Sequence, residues 1–295
     1  MSTLFGVIKQ LERLFAPTKR QLKLYKELME PIALQVIDNP ELLERTISFD
    51  LLQSTEWLEK ILTPTPFRTT QFLLDLENTI KDMEQSWDDL SDKVKKALLF
   101  LAERGWFFPI FNKQIIKLLG FHEHALEGDL NKLDRDMSAF FENRLDSIQM
   151  DLLRIYPHRE HLIKAGMKAH KSGKYELAIL MFFSQVDGFC WDAANCNYFR
   201  KKNKKPQISA HVENVVSRRF AEAMLSALTT NLPVSYGEWE RKKATKPYTG
   251  PNRHTIMHGE SLDYGTKENS FKALSLLYYV ALALEFAGMS NSAQI

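Results

Sequence analysis

The segment Asn252-Arg-His-Thr-Ile-Met-His-Gly259 combines residue types that suit acid–base chemistry on a phosphate. Arginine offers a permanently charged planar fork that matches phosphate oxygens, and histidine can give or take a proton near neutral pH. Metal-free RNA cleavage needs a base for the ribose 2′-OH, an acid for the leaving 5′-oxygen and a cation for the phosphorane. Arg253 and His258 are therefore the candidate catalytic pair, and His254 is the third candidate.

The spacing of these residues limits how they could act together. Pro251 and Gly259 bracket the segment, which predicts a short helix or helical turn. On a straight helix, residues five apart point about 140° away from each other. Arg253 and His258 could then converge only if the segment bends or if two subunits share one site. His254 and His258, four apart, lie on the same face.

Two other interpretations of this segment stay open. The arginine and histidines could simply mark the exposed end of a surface helix. Alternatively, His254 and His258 could bind a metal, with Glu260 and Asp263 completing the site. The segment lacks the His-Glu-x-x-His pattern and has no cysteine nearby, so we expect neither a metal nor another cofactor.

Asp187 places a carboxylate at helical spacing with apolar residues such as Phe183 and Cys190. Because an unpaired buried charge is costly, Asp187 should have a partner. It could orient His258 or pair with Arg253, or it could make a structural hydrogen bond.

Two basic clusters are candidates for RNA binding, because each lies beside aromatic residues and could combine phosphate contacts with base stacking. Solvated loops have the same composition. The candidate residues are Arg200, Lys201, Lys202, Lys204 and Lys205 near Tyr198 and Phe199, and Arg241, Lys242 and Lys243 beside Trp239.

The surrounding chain predicts an all-α protein. Gly and Pro number only 12 and 11 in 295 residues, and apolar residues recur at helical spacing. Pro157 marks a new unit, so we divide the chain into an accessory helical domain (1–152) and a C-terminal domain (153–295). Helices are predicted at about 127–153, 158–170, 174–193, 210–229 and 267–286, the last at the centre of a bundle.

Charge and cysteine content indicate the kind of binding partner and the cellular compartment. Residues 151–295 carry a net charge of +7 and residues 1–150 a net charge of −5, so the C-terminal half is the one expected to meet a polyanion. No leader pattern is present, and the apolar block 273–284 is shorter than the roughly 20 residues that span a bilayer. Cys190 and Cys196 would lie about 9 Å apart along one helix, too far to bridge. These features predict a cytoplasmic protein without a membrane partner.

The same residues resemble a known family. Arg253, four residues and His258 fit the Arg-x(4–6)-His signature of the HEPN superfamily (higher eukaryote and prokaryote nucleotide-binding). Asn252, His254 and Gly259 extend the resemblance around the signature. The resemblance as a whole covers roughly residues 155–290. Its further elements are Tyr264-Gly265-Thr266 and Asn269-Ser270 before an apolar helix, and Tyr175, Ala178-Ile179, Gln185 and Asp187 in an earlier helix.

The resemblance implies a helical bundle that is usually dimeric and acts as a metal-independent endoribonuclease, with the two signature segments facing each other across a cleft. Many members are toxins or antiviral effectors. By position, Arg253 and His258 would be catalytic, and His254 fills a slot where the family prefers a polar residue. Some members bind RNA without cutting it, so a non-catalytic RNA- or protein-binding module remains the alternative.

Overall fold

The computed structural model describes residues 88–109, 115–126, 128–215, 219–245 and 248–292. Within these ranges the regular secondary structure is helical apart from one two-stranded hairpin, which confirms the predicted all-α fold class. The described residues belong to one compact unit that spans residues 87–295. Residues 1–87, the larger part of the predicted accessory domain, lie outside the described residues.

The helices and strands have the following bounds. The first described helix, α1, covers residues 88–102, and the hairpin consists of β1 (Lys201–Lys202) and β2 (Lys205–Pro206). Short 3-10 helices cover Pro157–Arg159 and Pro233–Ser235. The other helices are α2 (Ile115–Leu126), α3 (Leu130–Glu142), α4 (Leu145–Ile155), α5 (Glu160–Lys171), α6 (Tyr175–Ala194), α7 (Ser209–Val215), α8 (Arg219–Met224), α9 (Ser226–Thr229), α10 (Glu238–Lys243), α11 (Arg253–Met257) and α12 (Lys267–Ser292).

Helices α6 and α12 form the centre of the bundle. They pack along each other, with α5 on α6 and with α3, α4 and α7 on α12. Residues 273–284 are buried almost all round, as expected for a helix whose surface is apolar in every direction. The prediction that the last helix is central is therefore confirmed.

Several helices end just before a residue that tolerates a left-handed backbone. Gly105 ends the turn after α1 with φ of 88°, and Gly173 separates α5 from α6 with φ of 71°. Asn195 caps α6 with φ of 50°. Glycine and asparagine accept this conformation at low cost, so these residues fix where the helices stop.

A buried lysine ties three parts of the bundle together. Lys272 of α12 is 2% exposed, and its ammonium donates to Glu268 at 2.7 Å and lies 3.5 Å from Asp134 of α3. The indole nitrogen of Trp106 donates to the same Asp134 at 2.6 Å. Because both carboxylates face the ammonium, the buried charge is compensated.

The described residues on either side of the predicted domain boundary pack into one core. Residues 152 and 153 lie inside α4, which contacts α5 and α12. The core also joins Val94 of α1 to Leu284 of α12. Pro157 does end α4, but the apolar side chains on both sides of it are buried in the same core.

Three helical predictions need correction in detail. The helix expected over 127–153 is two helices, α3 and α4, separated by a turn at Asn143 and Arg144. The helix expected over 210–229 is interrupted between α8, which ends at Met224, and α9, which begins at Ser226; residues 216–218, between α7 and α8, lie outside the described residues. Cys196 lies beyond the end of α6 and not on one helix with Cys190; both thiols are free.

Two described helices are long and apolar enough to cross a bilayer, judged by length and composition alone. They are Tyr175–Ala194 and Lys267–Gly288, and 44% and 83% of their apolar windows are buried inside the protein. The helix Lys267–Gly288 extends beyond the apolar block 273–284 identified from the sequence, because few polar residues flank that block.

Candidate active site

Asn252 holds the short helix α11 in place. Its side-chain oxygen accepts a hydrogen bond from the backbone nitrogen of Thr255 at 3.0 Å, the N-cap interaction typical of asparagine. Its amide nitrogen donates to the carbonyl oxygens of Pro233 at 2.7 Å and Tyr236 at 3.0 Å. Asn252 is 7% exposed and uses both ends of its amide, so α11 is fixed to the preceding loop. The predicted short helix is thus confirmed.

Arg253, the first residue of α11, is half-buried. Its guanidinium lies 5.6 Å from the centre of the Phe199 ring. Among the described residues it makes no hydrogen bond and has no carboxylate within ion-pair distance. Arg159, by contrast, directs its guanidinium to Asp192, Gln185 and the carbonyl of Gly188. Arg253 therefore keeps its donors available for an anionic ligand.

Asp187 has a structural role. Its Oδ1 accepts hydrogen bonds from the backbone nitrogens of Tyr198 at 2.9 Å and Phe199 at 3.1 Å, which holds the loop after α6 against that helix. Burial raises the pKa of Asp187, and these bonds and the positive charge of Arg253 oppose that rise. Asp187 acts on Arg253 through charge and through the placement of Phe199; it makes no contact with His258 within the described structure.

His254 and His258 form a pair on the other side of α11. Their ring centres lie 4.4 Å apart, as expected for residues i and i+4. His258 is exposed and caps the helix C-terminus. No hydrogen bond, ion pair or ring contact joins Arg253 to His258 within the described part of one chain, and residues five apart on a helix point to different sides. As expected from their spacing, a single copy of the chain does not bring Arg253 and His258 together.

The chain turns back directly after His258 and brings Glu260 to the histidines. Gly259 has φ of 70°, and the backbone nitrogens of Gly259 and Glu260 donate to the carbonyls of Ile256 and Thr255, forming a Schellman motif. Glu260 Oε1 then lies 3.5 Å from His254 Nδ1, and Oε2 accepts from Arg241 of α10 at 2.8 Å. The hydrogen bond from Arg241 lowers the pKa of Glu260.

Sequence reasoning considered Glu260 only as a metal ligand. The described residues contain no group of three or more His, Cys, Asp or Glu placed to hold a metal ion. Gly259 was the available signal in the sequence that Glu260 lies beside the histidines. A glycine after a helix end predicts a chain reversal, which returns the next residue to the last turn of the helix.

The first basic cluster lies on the hairpin. Asn203 and Lys204 have φ of 52° and 64°, the left-handed pair of a type I′ turn. Lys201 is held by Glu240 of α10, and Lys205 pairs with Glu213 at 2.7 Å. No ion pair within the described residues engages Arg200, Lys202 or Lys204, so these three are the free cations of the cluster.

The second basic cluster, on α10, is already partly engaged. Arg241 pairs with Glu260, and Lys242 pairs with Glu238 at 2.6 Å. Lys243 lies over the ring of Trp239 at 4.0 Å, and that tryptophan is 62% exposed. The contacts of Lys201 with Glu240 and of Arg241 with Glu260 bring the two clusters and the loop after α11 into one region.

A cleft of about 1200 Å³ with both polar and apolar walls borders α11. Asn252 and Thr255 form part of its wall, together with Tyr236, Tyr264 and Glu260. Neither Arg253 nor His258 lines it. Sequence reasoning did not anticipate this cleft, because its walls come from separate segments that only the fold brings together.

Comparisons with protein-family models, curated proteins and solved structures find no match for this chain. What the site can do therefore follows from its geometry and chemistry.

Proposed function

We propose that the chain is a metal-independent endoribonuclease of the HEPN type. In this proposal the guanidinium of Arg253 binds the scissile phosphate and stabilises its added negative charge in the transition state. The histidines supply the proton transfers: one takes the proton of the attacking 2′-OH, and the other returns a proton to the leaving 5′-oxygen. Bond formation and cleavage at phosphorus then give a 2′,3′-cyclic phosphate and a free 5′-hydroxyl.

One observation carries the proposal: Arg253 is half-buried at the start of a helix that Asn252 anchors, yet its guanidinium has no hydrogen-bonding partner among the described residues. Ordering an arginine without a partner costs side-chain entropy and desolvation. A phosphate would supply the missing bidentate acceptor.

The proposal includes a homodimer with a composite site. Because Arg253 and His258 leave α11 on different sides, Arg253 of one subunit would work with His258 of the partner subunit across a two-fold axis. Exposed apolar side chains near the histidines in sequence support an interface here: Met257 is 50% exposed and Leu262 is 91% exposed. Such residues are costly in water and are typical of association surfaces when they cluster.

The free cations Arg200, Lys202 and Lys204 would follow the RNA backbone away from the cleavage site. Arg200 adjoins Phe199, whose ring contacts Arg253, so the basic hairpin begins beside the candidate phosphate site. Uncontrolled RNA cleavage in the cytoplasm would stop growth, so we include a role as a toxin or antiviral effector in the proposal.

The separation of Arg253 and His258 within one chain favours a second candidate, a non-catalytic module that binds RNA or a protein partner.

To discriminate between the two candidates, purified protein is incubated with single-stranded RNA in excess EDTA and the products are resolved on a gel. The nuclease proposal expects cyclic-phosphate ends from the wild type. RNA retained without products would support the binding module, and cleavage abolished by chelation would support metal-dependent chemistry.

A further inference from the structure

Glu260 is the one carboxylate that contacts both the histidine pair and a basic cluster in the described structure. The Schellman motif at Gly259 fixes its backbone, since the Glu260 nitrogen donates to Thr255 at 2.8 Å. Arg241 takes one carboxylate oxygen, Oε2, and so turns the other oxygen, Oε1, toward His254. The backbone turn therefore brings this carboxylate beside His254, and Arg241 orients it.

The two nitrogens of His254 have different surroundings. Nδ1 is buried and has no hydrogen-bond partner, although Glu260 Oε1 lies 3.5 Å away. Nε2 is not enclosed in this way, and the imidazole lies beside the ring of His258. A buried nitrogen next to a carboxylate is favoured as the N–H donor, because a lone pair there would face negative charge.

We propose that Glu260 is a positioning residue that fixes the His254 imidazole with its proton on Nδ1. This leaves the Nε2 lone pair available to accept a proton, with the ring held against His258. A small movement of one side chain would shorten the 3.5 Å separation of His254 Nδ1 and Glu260 Oε1 to hydrogen-bond distance. The role in proton transfer rests on the proposed nuclease function, whereas the orientation of His254 does not.

The orientation is tested directly by NMR. Two-bond ¹H–¹⁵N correlation spectra of the imidazoles identify which nitrogen of neutral His254 carries the proton, and they need no RNA. The wild type is expected to show the Nδ1–H form, and Glu260→Ala is expected to shift His254 toward the Nε2–H form. Asp263→Asn, which removes a nearby exposed carboxylate, is the matched control and should leave the tautomer unchanged. A wild-type Nε2–H form, or an unchanged tautomer in Glu260→Ala, overturns the proposal.

The kinetic test follows on the dimeric protein with a single-stranded RNA substrate. Removal of an orienting partner commonly reduces activity about tenfold to hundredfold. We expect Glu260→Ala to lower kcat by about that factor with KM changed by less than about twofold, and Glu260→Asp to recover part of the activity. A rise in KM at unchanged kcat would make Glu260 a binding residue and overturn the positioning role. If the wild type cuts no RNA, the nuclease proposal fails while the NMR result still decides the role of Glu260 in orienting His254.

Discussion

The amide nitrogen of Asn252 lies 2.7 Å from the carbonyl oxygen of Pro233, while the other end of the same amide caps α11 through Thr255. One side chain therefore sets both the start of α11 and its attachment to the preceding loop. We expect Asn252→Ala to reduce the free energy of unfolding by about 2–3 kcal/mol, because it removes a cap and leaves two carbonyl groups without their donor. Urea unfolding followed by circular dichroism measures the change.

Asp129 provides the comparison for that variant. It caps α3 by accepting from the backbone nitrogen of Lys132 at 2.8 Å, but at an exposed position. Asp129→Ala should cost only about 1 kcal/mol, as is typical of an isolated cap. An Asn252→Ala protein as stable as the wild type would contradict the attachment of α11 by Asn252.

His170 of α5 gives the bundle a specific dependence on pH. It is 3% exposed, its Nδ1 lies 2.7 Å from Ser270 Oγ on α12, and burial lowers its pKa from 6.5 to about 4. Between these values the unfolded chain binds a proton that folded His170 does not. Stability from neutral His170 is therefore complete above about pH 6.5 and is lost as the pH falls toward 4, by at most about 3 kcal/mol.

The variant His170→Asn should flatten the dependence of unfolding free energy on pH in this window, even though it is less stable at about pH 8. The change in slope relative to the wild type is the quantity to measure, because carboxylates contribute to both proteins. His161, exposed on the same helix, serves as the control. Equal slopes for the wild type and His170→Asn would show that His170 titrates normally.

The free cations of the hairpin should dominate the electrostatic part of RNA binding. We expect the double variant Lys202→Gln with Lys204→Asn to reduce the slope of log Kd against log salt by roughly 0.7 for each phosphate that the hairpin no longer neutralises. Asparagine at position 204 keeps a residue that tolerates φ of 64°. Fluorescence anisotropy with labelled single-stranded RNA over a series of salt concentrations measures the slope.

Lys164 is the control for that measurement, because it lies on α5 and already pairs with Glu160. Its replacement by glutamine should leave the slope unchanged. If the hairpin variant keeps the wild-type slope, RNA does not contact the hairpin.

Local sequence was sufficient to predict where a helix begins and ends when both ends carry strong signals. Gly173 and Asn195 bound α6, and Pro251 with Gly259 bracket α11, so their positions were predictable. The turn at Asn143 was not, since the apolar spacing continues across it. The hairpin at 201–206 was also missed, because strands of two residues show no alternation.

The candidate site was predictable only in part. Residue types and spacing led to Arg253, His254 and His258, and charge led to the basic clusters. The partners of these residues depend on tertiary structure: Glu260 meets Arg241 from another helix, and Asp187 accepts from the backbone of Tyr198. Neither relationship has a signature in the order of residues along the chain.

A composite site predicts complementation between two inactive variants. Mixing Arg253→Ala and His258→Ala subunits would form mixed dimers, each with one site that has an intact Arg253 and an intact His258 from different subunits. After random exchange of subunits, about one quarter of wild-type cleavage should return, because half of the dimers are mixed and each has one working site. No recovery after proven exchange would place both residues of a site on one subunit.

The most direct measurement is the cleavage rate of single-stranded RNA in excess EDTA for the wild type, Arg253→Ala and His258→Ala. We expect the wild type to cut, and each variant, folded like the wild type, to be at least about a hundredfold slower, as expected when an acid–base or charge-stabilising group is removed. Arg253→Lys should recover little, because an ammonium cannot reproduce the bidentate fork. Full activity in either alanine variant would contradict the account.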